Sequence, residues 1–168
     1  MDDLKNKVAA SGLITLDLEK FYPASTIESF DLKDFLFMEM LLKEKDFREA
    51  LDNHDWSQYK DKTVAVFCST DAIIPLWAYM LVASRLSLIA KKIHPGDTSS
   101  CFRDDFLQNI REGIDPMAFV EKRVVIKGCG DKPIPDYAYL EASNILLPVV
   151  KSLMYGEPCS TVPVFKRK

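Results

Sequence analysis

The sequence predicts an α/β fold: a single three-layer, Rossmann-like domain over residues 1–168, with a mostly parallel sheet and helices on both faces. Three observations lead there. From Thr63 onward, short apolar runs of strand length alternate with longer helical stretches, the order that βα units impose. Two of these units resemble each other after a shift of about 60 residues. The balance of 48% hydrophobic and 28% charged residues is that of a soluble globular chain able to build a core.

The elements follow in order. Leu13-Ile-Thr-Leu-Asp-Leu alternates loosely and reads as a first strand, at an edge. Pro23-Ala-Ser-Thr is a turn. Asp31 or Asp34 would cap a helix from Phe35 to about Leu42, and a second helix runs from Lys45 to Asn53. Lys43 to Arg48 is charge-dense at helical spacing and reads as a solvated face. A polar connector, His54-Asp-Trp-Ser-Gln-Tyr, leads to a strand over Thr63 to Phe67 and a helix over Pro75 to Ile89. Lys91-Lys-Ile-His is a short strand ended by Pro95-Gly96. Thr98 or Ser99 caps a helix through Ile110; Arg123 to Lys127 is a strand and Pro135 to about Val150 a helix. Ser152 to Tyr155 is a strand, and Val162 to Lys166 returns as an antiparallel edge. Ala72 to Ala90 is nearly all apolar, but Pro75 and Arg85 favour a buried helix over a membrane span.

The repeat aligns Lys62, Val64, Val66, Asp71, Ile74, Pro75, Ala78 and Tyr79 with Lys122, Val124, Ile126, Asp131, Ile134, Pro135, Ala138 and Tyr139. Any βα unit has apolar strand positions, and many place Pro at the first helical turn. The run Asp-x-x-Ile-Pro-x-aromatic-Ala-Tyr is more particular and points to an internal βα duplication.

Charge excludes some partners. A net charge of −3 gives no reason to expect nucleic acid or an anionic membrane. Met1-Asp-Asp-Leu-Lys has no apolar signal region, and four unevenly spaced cysteines in an unsecreted chain read as reduced thiols. The expectation is a cytoplasmic protein.

The cysteines carry the chemistry the sequence suggests. Cys68, Cys129 and Cys159 each follow a strand and precede a small residue; Cys101 falls within a helix and reads as packing. If the strands are neighbours in one sheet, the three thiols emerge together at its carboxyl edge, where such sheets bind ligands. Thiolates there would hold zinc, iron or an iron–sulfur cluster, with Asp71, Asp131 or His54 as a fourth ligand. Close Cys-x-x-Cys pairs are lacking. Asp71 and Asp131 also suit helix caps, and His54, between Asn53 and Asp55-Trp56, also suits a packed polar corner. A second reading makes Cys129 a nucleophile or sulfur acceptor at a helix N-terminus beside Gly130 and Lys132, although neither of the two histidines stands in a base motif. The same loop could instead hold an anion. A third reading is a non-catalytic scaffold with buried cysteines.

Glu44-Lys-Asp-Phe-Arg, Asn53-His-Asp-Trp-Ser-Gln-Tyr, Ile126-Lys-Gly-Cys-Gly-Asp-Lys-Pro and Gly156-Glu-Pro-Cys-Ser-Thr-Val-Pro resemble a bacterial family, mainly of Bacteroidetes, catalogued as domain of unknown function 2480. The resemblance spans nearly the whole chain. It implies that Cys68, Cys129, Cys159 and His54 belong to shared motifs, and that the genes lie near those of the sulfur-mobilisation pathway. Iron–sulfur assembly proteins are therefore the expected partners. The leading expectation is a metal-binding or iron–sulfur-assembly accessory protein.

Overall fold

The run Thr63-Val-Ala-Val-Phe is apolar without alternation, and Arg123-Val-Val-Ile-Lys nearly so. Strands of that kind must be covered on both faces, which is the condition of a central parallel strand. In the computed structural model, which describes residues 12–168 apart from position 129, both take that place. The fold is α/β with mostly parallel strands. Among the described residues the strands form two sheets: β2 (Ile27–Asp31), β3 (Thr63–Phe67) and β4 (Lys92–Pro95) lie in the order β2-β3-β4. The other holds β1 (Leu13–Leu16), β5 (Arg123–Lys127), β6 (Ser152–Glu157) and β7 (Ser160–Lys166), in the order β1-β5-β6-β7. Among the described residues every named pairing but β6–β7 is parallel.

The contacts group the chain into two units, Ala24–Asp104 and Met1–Pro23 with Asp105–Lys168. The former, here the inserted unit, interrupts the latter, the split unit. The helices are α1 (Glu44–Asp52), α2 (Leu76–Leu86), α3 (Thr98–Gly113) and α4 (Asp136–Leu146). No helix among the described residues is long and apolar enough to cross a membrane.

The duplication is real at the level of backbone. β3 and α2 in the inserted unit match β5 and α4 in the split unit residue for residue under a shift of about 60. Pro75 and Pro135 precede the two helices in extended conformation. Ala78, Val82 and Leu86 are fully buried along one face of α2, as are Ala138, Ala142 and Leu146 along α4. That spacing of four is one helical stripe, and alanine at its start lets each helix lie close to its sheet. The match extends upstream of what the sequence reading found. Asp55 accepts from Ser57 N–H at 3.0 Å and starts a 3-10 helix, Trp56–Tyr59. Asp115 does the same for Met117 N–H at 3.0 Å, starting Pro116–Phe119. Asp61 (φ 59°) and Glu121 (φ 56°) then take the left-handed conformation. Their amides donate to Ile89 O and Val149 O at 3.0 and 2.9 Å, tying each strand's entry to the end of the following helix.

The two first strands echo as well. Asp17 follows β1 and accepts from Glu19 N–H at 3.1 Å; Asp31 ends β2 and accepts from Lys33 N–H at 2.9 Å. The next residues, Leu18 and Leu32, are buried.

Two departures from expectation have local causes. The helix expected over Phe35 to Leu42 is absent, because Met38 (φ 51°) and Glu39 (φ 57°) are left-handed. The chain there makes a tight turn closed by Phe37 N–H to Leu41 O at 2.8 Å. β2 was not expected at all: Ile-Glu-Ser-Phe-Asp is an edge strand in which only Phe30 is buried.

If the halves share one packing scheme, Leu86→Ala and Leu146→Ala should each cost about 2–5 kcal/mol, as large-to-small core changes do. Leu88→Ala, at a residue 82% exposed, should stay within about 0.5 kcal/mol. Urea unfolding of the three variants checks this, and an inert Leu146→Ala would break the equivalence.

Candidate functional site

The split unit opens a cleft of about 590 Å³ at the carboxyl ends of β1 and β5. Connectivity puts it there. After β1 the chain turns into a 3-10 helix, Leu18–Phe21, and leaves; the element that follows β5 is α4. Parallel neighbours whose chains depart by separate paths leave a crevice at their carboxyl ends, the usual ligand position in open α/β sheets.

The register Leu16↔Ile126 brings Asp17 beside Lys127. Lys127 Nζ donates to Asp17 Oδ2 at 3.1 Å. Burial pushes the Asp17 carboxyl up, but hydrogen bonds from Lys127 and Glu19 N–H, with the nearby positive charge, outweigh it and hold it below the usual range. The bond that Lys127 donates to Asp17 in turn raises Lys127 above the usual lysine range, against desolvation.

Glu19 lies flat on Gly130: a Cβ there would overlap its carboxylate. Lys132 sits over the Tyr22 ring, Nζ 4.7 Å from the centroid. Tyr139 and Tyr155 wall the cleft on the side of α4 and β6. Their rings meet edge to face at 5.6 Å, with Tyr155 Oη donating to Gly128 O at 3.4 Å and Tyr139 Oη to Lys127 O at 3.3 Å. Gly128 is needed for this, since a Cβ would come within 2.7 Å of Tyr155 Cζ. Three carboxylates (Asp17, Glu19, Asp131) and two ammonium groups (Lys127, Lys132) thus line one cleft.

The inserted unit has a different opening, about 360 Å³ at the ends of β3 and β4. Val66, Phe67, Cys68, Tyr79, Ala83, Ile93 and Pro95 make it mainly apolar.

Among the described residues the thiolate centre is not formed. Among the described residues no group of three or more His, Cys, Asp or Glu side chains could hold a metal ion. This overturns the expected zinc, iron or iron–sulfur site of Cys68, Cys129 and Cys159 with Asp71, Asp131 or His54. The reason is topological: the expectation needed neighbouring strands of one sheet, whereas Cys68 follows β3 in one sheet and Cys159 turns the β6–β7 hairpin in the other. Cys68 is half-buried with its Sγ 3.4 Å from Thr70 Oγ1, Cys159 is exposed, and Cys101 is fully buried. Cys129, the expected nucleophile, lies outside the described residues, as do Met1 to Lys5. Asp71 and Asp131 are exposed loop residues.

His54 is held by aromatic rings. Its ring lies 4.9 Å from Trp56, 5.5 Å from Phe30 and stacks on Tyr59 at 5.8 Å, with Nε2 3.3 Å from Tyr59 Oη. The packed polar corner is the role it fills. His94 is buried and its Nε2 donates to Asp104 Oδ2 at 3.1 Å. Asp17, Glu19, Lys127 and Tyr155 were absent from the sequence reading as site residues. The signal that could have found Asp17 is the echo Leu16-Asp17-Leu18 and Phe30-Asp31-Leu32.

The ion pair has a pH signature. Asp17 lies below its unfolded value of about 3.9 when folded, so its stabilisation is whole above that value and lost as pH falls through the folded pKa. Lys127, raised, contributes fully below about 10.4 and loses its contribution as pH rises through its folded pKa. Asp17→Asn should therefore lower the urea midpoint at neutral pH, with the gap to wild type closing below about pH 4. A gap that persists undiminished through that acid range would contradict the pairing.

A family model described as protein of unknown function (DUF2480) matches residues 2–167, and the chain belongs to that family. No curated protein and no solved structure matches it.

Proposed function

We propose that the protein is a small-molecule binding protein whose ligand occupies the split unit's cleft and is zwitterionic, of the amino-acid class. The observation that carries this reading is the mixed charge at the carboxyl ends of β1 and β5. Asp17 and Glu19 offer carboxylates to an ammonium group, and Lys127 and Lys132 offer ammonium groups to a carboxylate. A phosphate-rich anion fits less well, because three carboxylates outnumber two ammonium groups there. The glycines serve the same end: with no Cβ at Gly128 or Gly130, Tyr155 and Glu19 keep their places at the rim. The volume of about 590 Å³ is ample for such a ligand. Free thiols at Cys68 and Cys159 support a reducing, cytoplasmic setting.

The test is a thermal-shift and calorimetric titration with free amino acids, using inorganic phosphate as the anion control. At least one amino acid should bind, and Asp17→Asn or Lys127→Met should weaken it by about ten- to a hundredfold, the loss of one charge-assisted hydrogen bond. Gly130→Ala should weaken it too, by displacing Glu19. If no amino acid binds, or if phosphate binds and Asp17→Asn leaves that binding unchanged, the reading fails.

A further inference from the structure

The two halves share a frame but not its filling. In the split unit the ring of Tyr155 packs edge-on against Tyr139 at 5.6 Å and its hydroxyl donates to Gly128 O at 3.4 Å. The equivalent residues of the inserted unit are Pro95, Tyr79 and Cys68. The strand register agrees, since Val66 pairs with Pro95 as Ile126 pairs with Tyr155. The tyrosine wall and the carbonyl of residue 68 are therefore repeated, and the ring that uses them is missing. The mainly apolar cleft of about 360 Å³ opens at this position.

We propose that this cleft is a binding site for a small molecule carrying a phenol-type ring, which takes the seat that Tyr155 fills in the other half. The ring would pack edge to face on Tyr79, and its hydroxyl would donate to Cys68 O. Val66 and Ala83 complete an apolar pocket at the lower end of ligand-site volumes, about 300–1,000 Å³. That suits one ring with a short substituent. Cys68 sets the fit. At the matching Gly128 a Cβ would lie 2.7 Å from Tyr155 Cζ. The bound ring must sit further out than Tyr155 does, against the sulfur, a favourable contact for an aromatic edge. A free ligand can make that shift, whereas a ring tethered to the strand cannot. The site is separate from the charged cleft and does not depend on the reading of that cleft.

The test is an NMR titration of the full chain with p-cresol, with cyclohexanol as the control lacking an aromatic ring. Saturable shifts at the amides of Cys68, Tyr79, Ala83 and Gly96 are expected with p-cresol and not with cyclohexanol. Cys68→Gly combined with Pro95→Tyr rebuilds the other half's packing and should weaken p-cresol by at least about tenfold, the loss of the ring's seat. Ala83→Phe, at a partly exposed helix position, blocks the cleft by another route and should do the same. No saturable binding, shifts confined to other residues, equal binding of cyclohexanol, or undiminished p-cresol binding by folded forms of both filled variants would each overturn the proposal.

Discussion

Everything in this chain turns on hiding two strands. β3 is buried along nearly its whole length and β5 at its three central residues, with Val64, Ala65, Val124 and Val125 wholly inaccessible. A parallel strand cannot be reached by a hairpin, so each needs a crossover to its neighbour, and the helix of that crossover supplies the cover. α2 and α4 answer this requirement with the same stripe of alanine, small aliphatic residue and leucine. The Asp-capped 3-10 turns and left-handed Asp61 and Glu121 then lead the chain into each strand by the same local conformation. With the faces closed, the strand ends are where side chains are free of the packing problem, and both clefts lie there.

What differs between the halves is confined to those ends. Lys127 stands where the other half has Phe67, Gly128 where it has Cys68, and Tyr155 where it has Pro95. None of these positions bears on the strand core, so the frame tolerates either set. One half spends its strand ends on a charged pair at 3.1 Å; the other leaves them apolar. In the inserted unit Asp31, the counterpart of Asp17, meets the backbone N–H of Ser69 at 3.0 Å rather than a lysine. Its carboxyl is still held below the usual range: burial opposes this, but bonds from the Ser69 hydroxyl and amide, and from Lys33 N–H, prevail. The aspartate is thus a structural constant of the frame, and the partner it is given differs between the halves.

The sequence made the βα portion legible because its signals are local. Arg123 to Lys127 is a strand over its predicted length, since an apolar core bounded by Arg and Lys admits little else. Pro75 and Pro135 marked the helix starts. What escaped was whatever depended on distant pairing or on backbone handedness. Ile27 to Asp31 carries too little apolar signal to stand out, and pairing with β3 makes it a strand. Phe35 to Leu42 has helical composition, but Met38 and Glu39 turn the chain instead. Cys68 and Cys159 do follow strands, but strands of different sheets, because a sequence records the end of a strand and not the sheet it joins. The Asp17–Lys127 pair spans 110 positions, and no local pattern announces it.

The insertion of residues 24–104 between β1 and the rest of its sheet has a consequence for biosynthesis. β1 leaves the ribosome early, yet its partner begins at Arg123. Over that interval the inserted segment, whose three strands and two crossover helices are encoded together, can close on itself. β1 meanwhile must wait as an unpaired edge, the kind of exposed strand that invites wrong partners in a nascent chain. The order of translation therefore lets the inserted segment fold before β1 can pair, and leaves β1 as one of the last described strands to find its place.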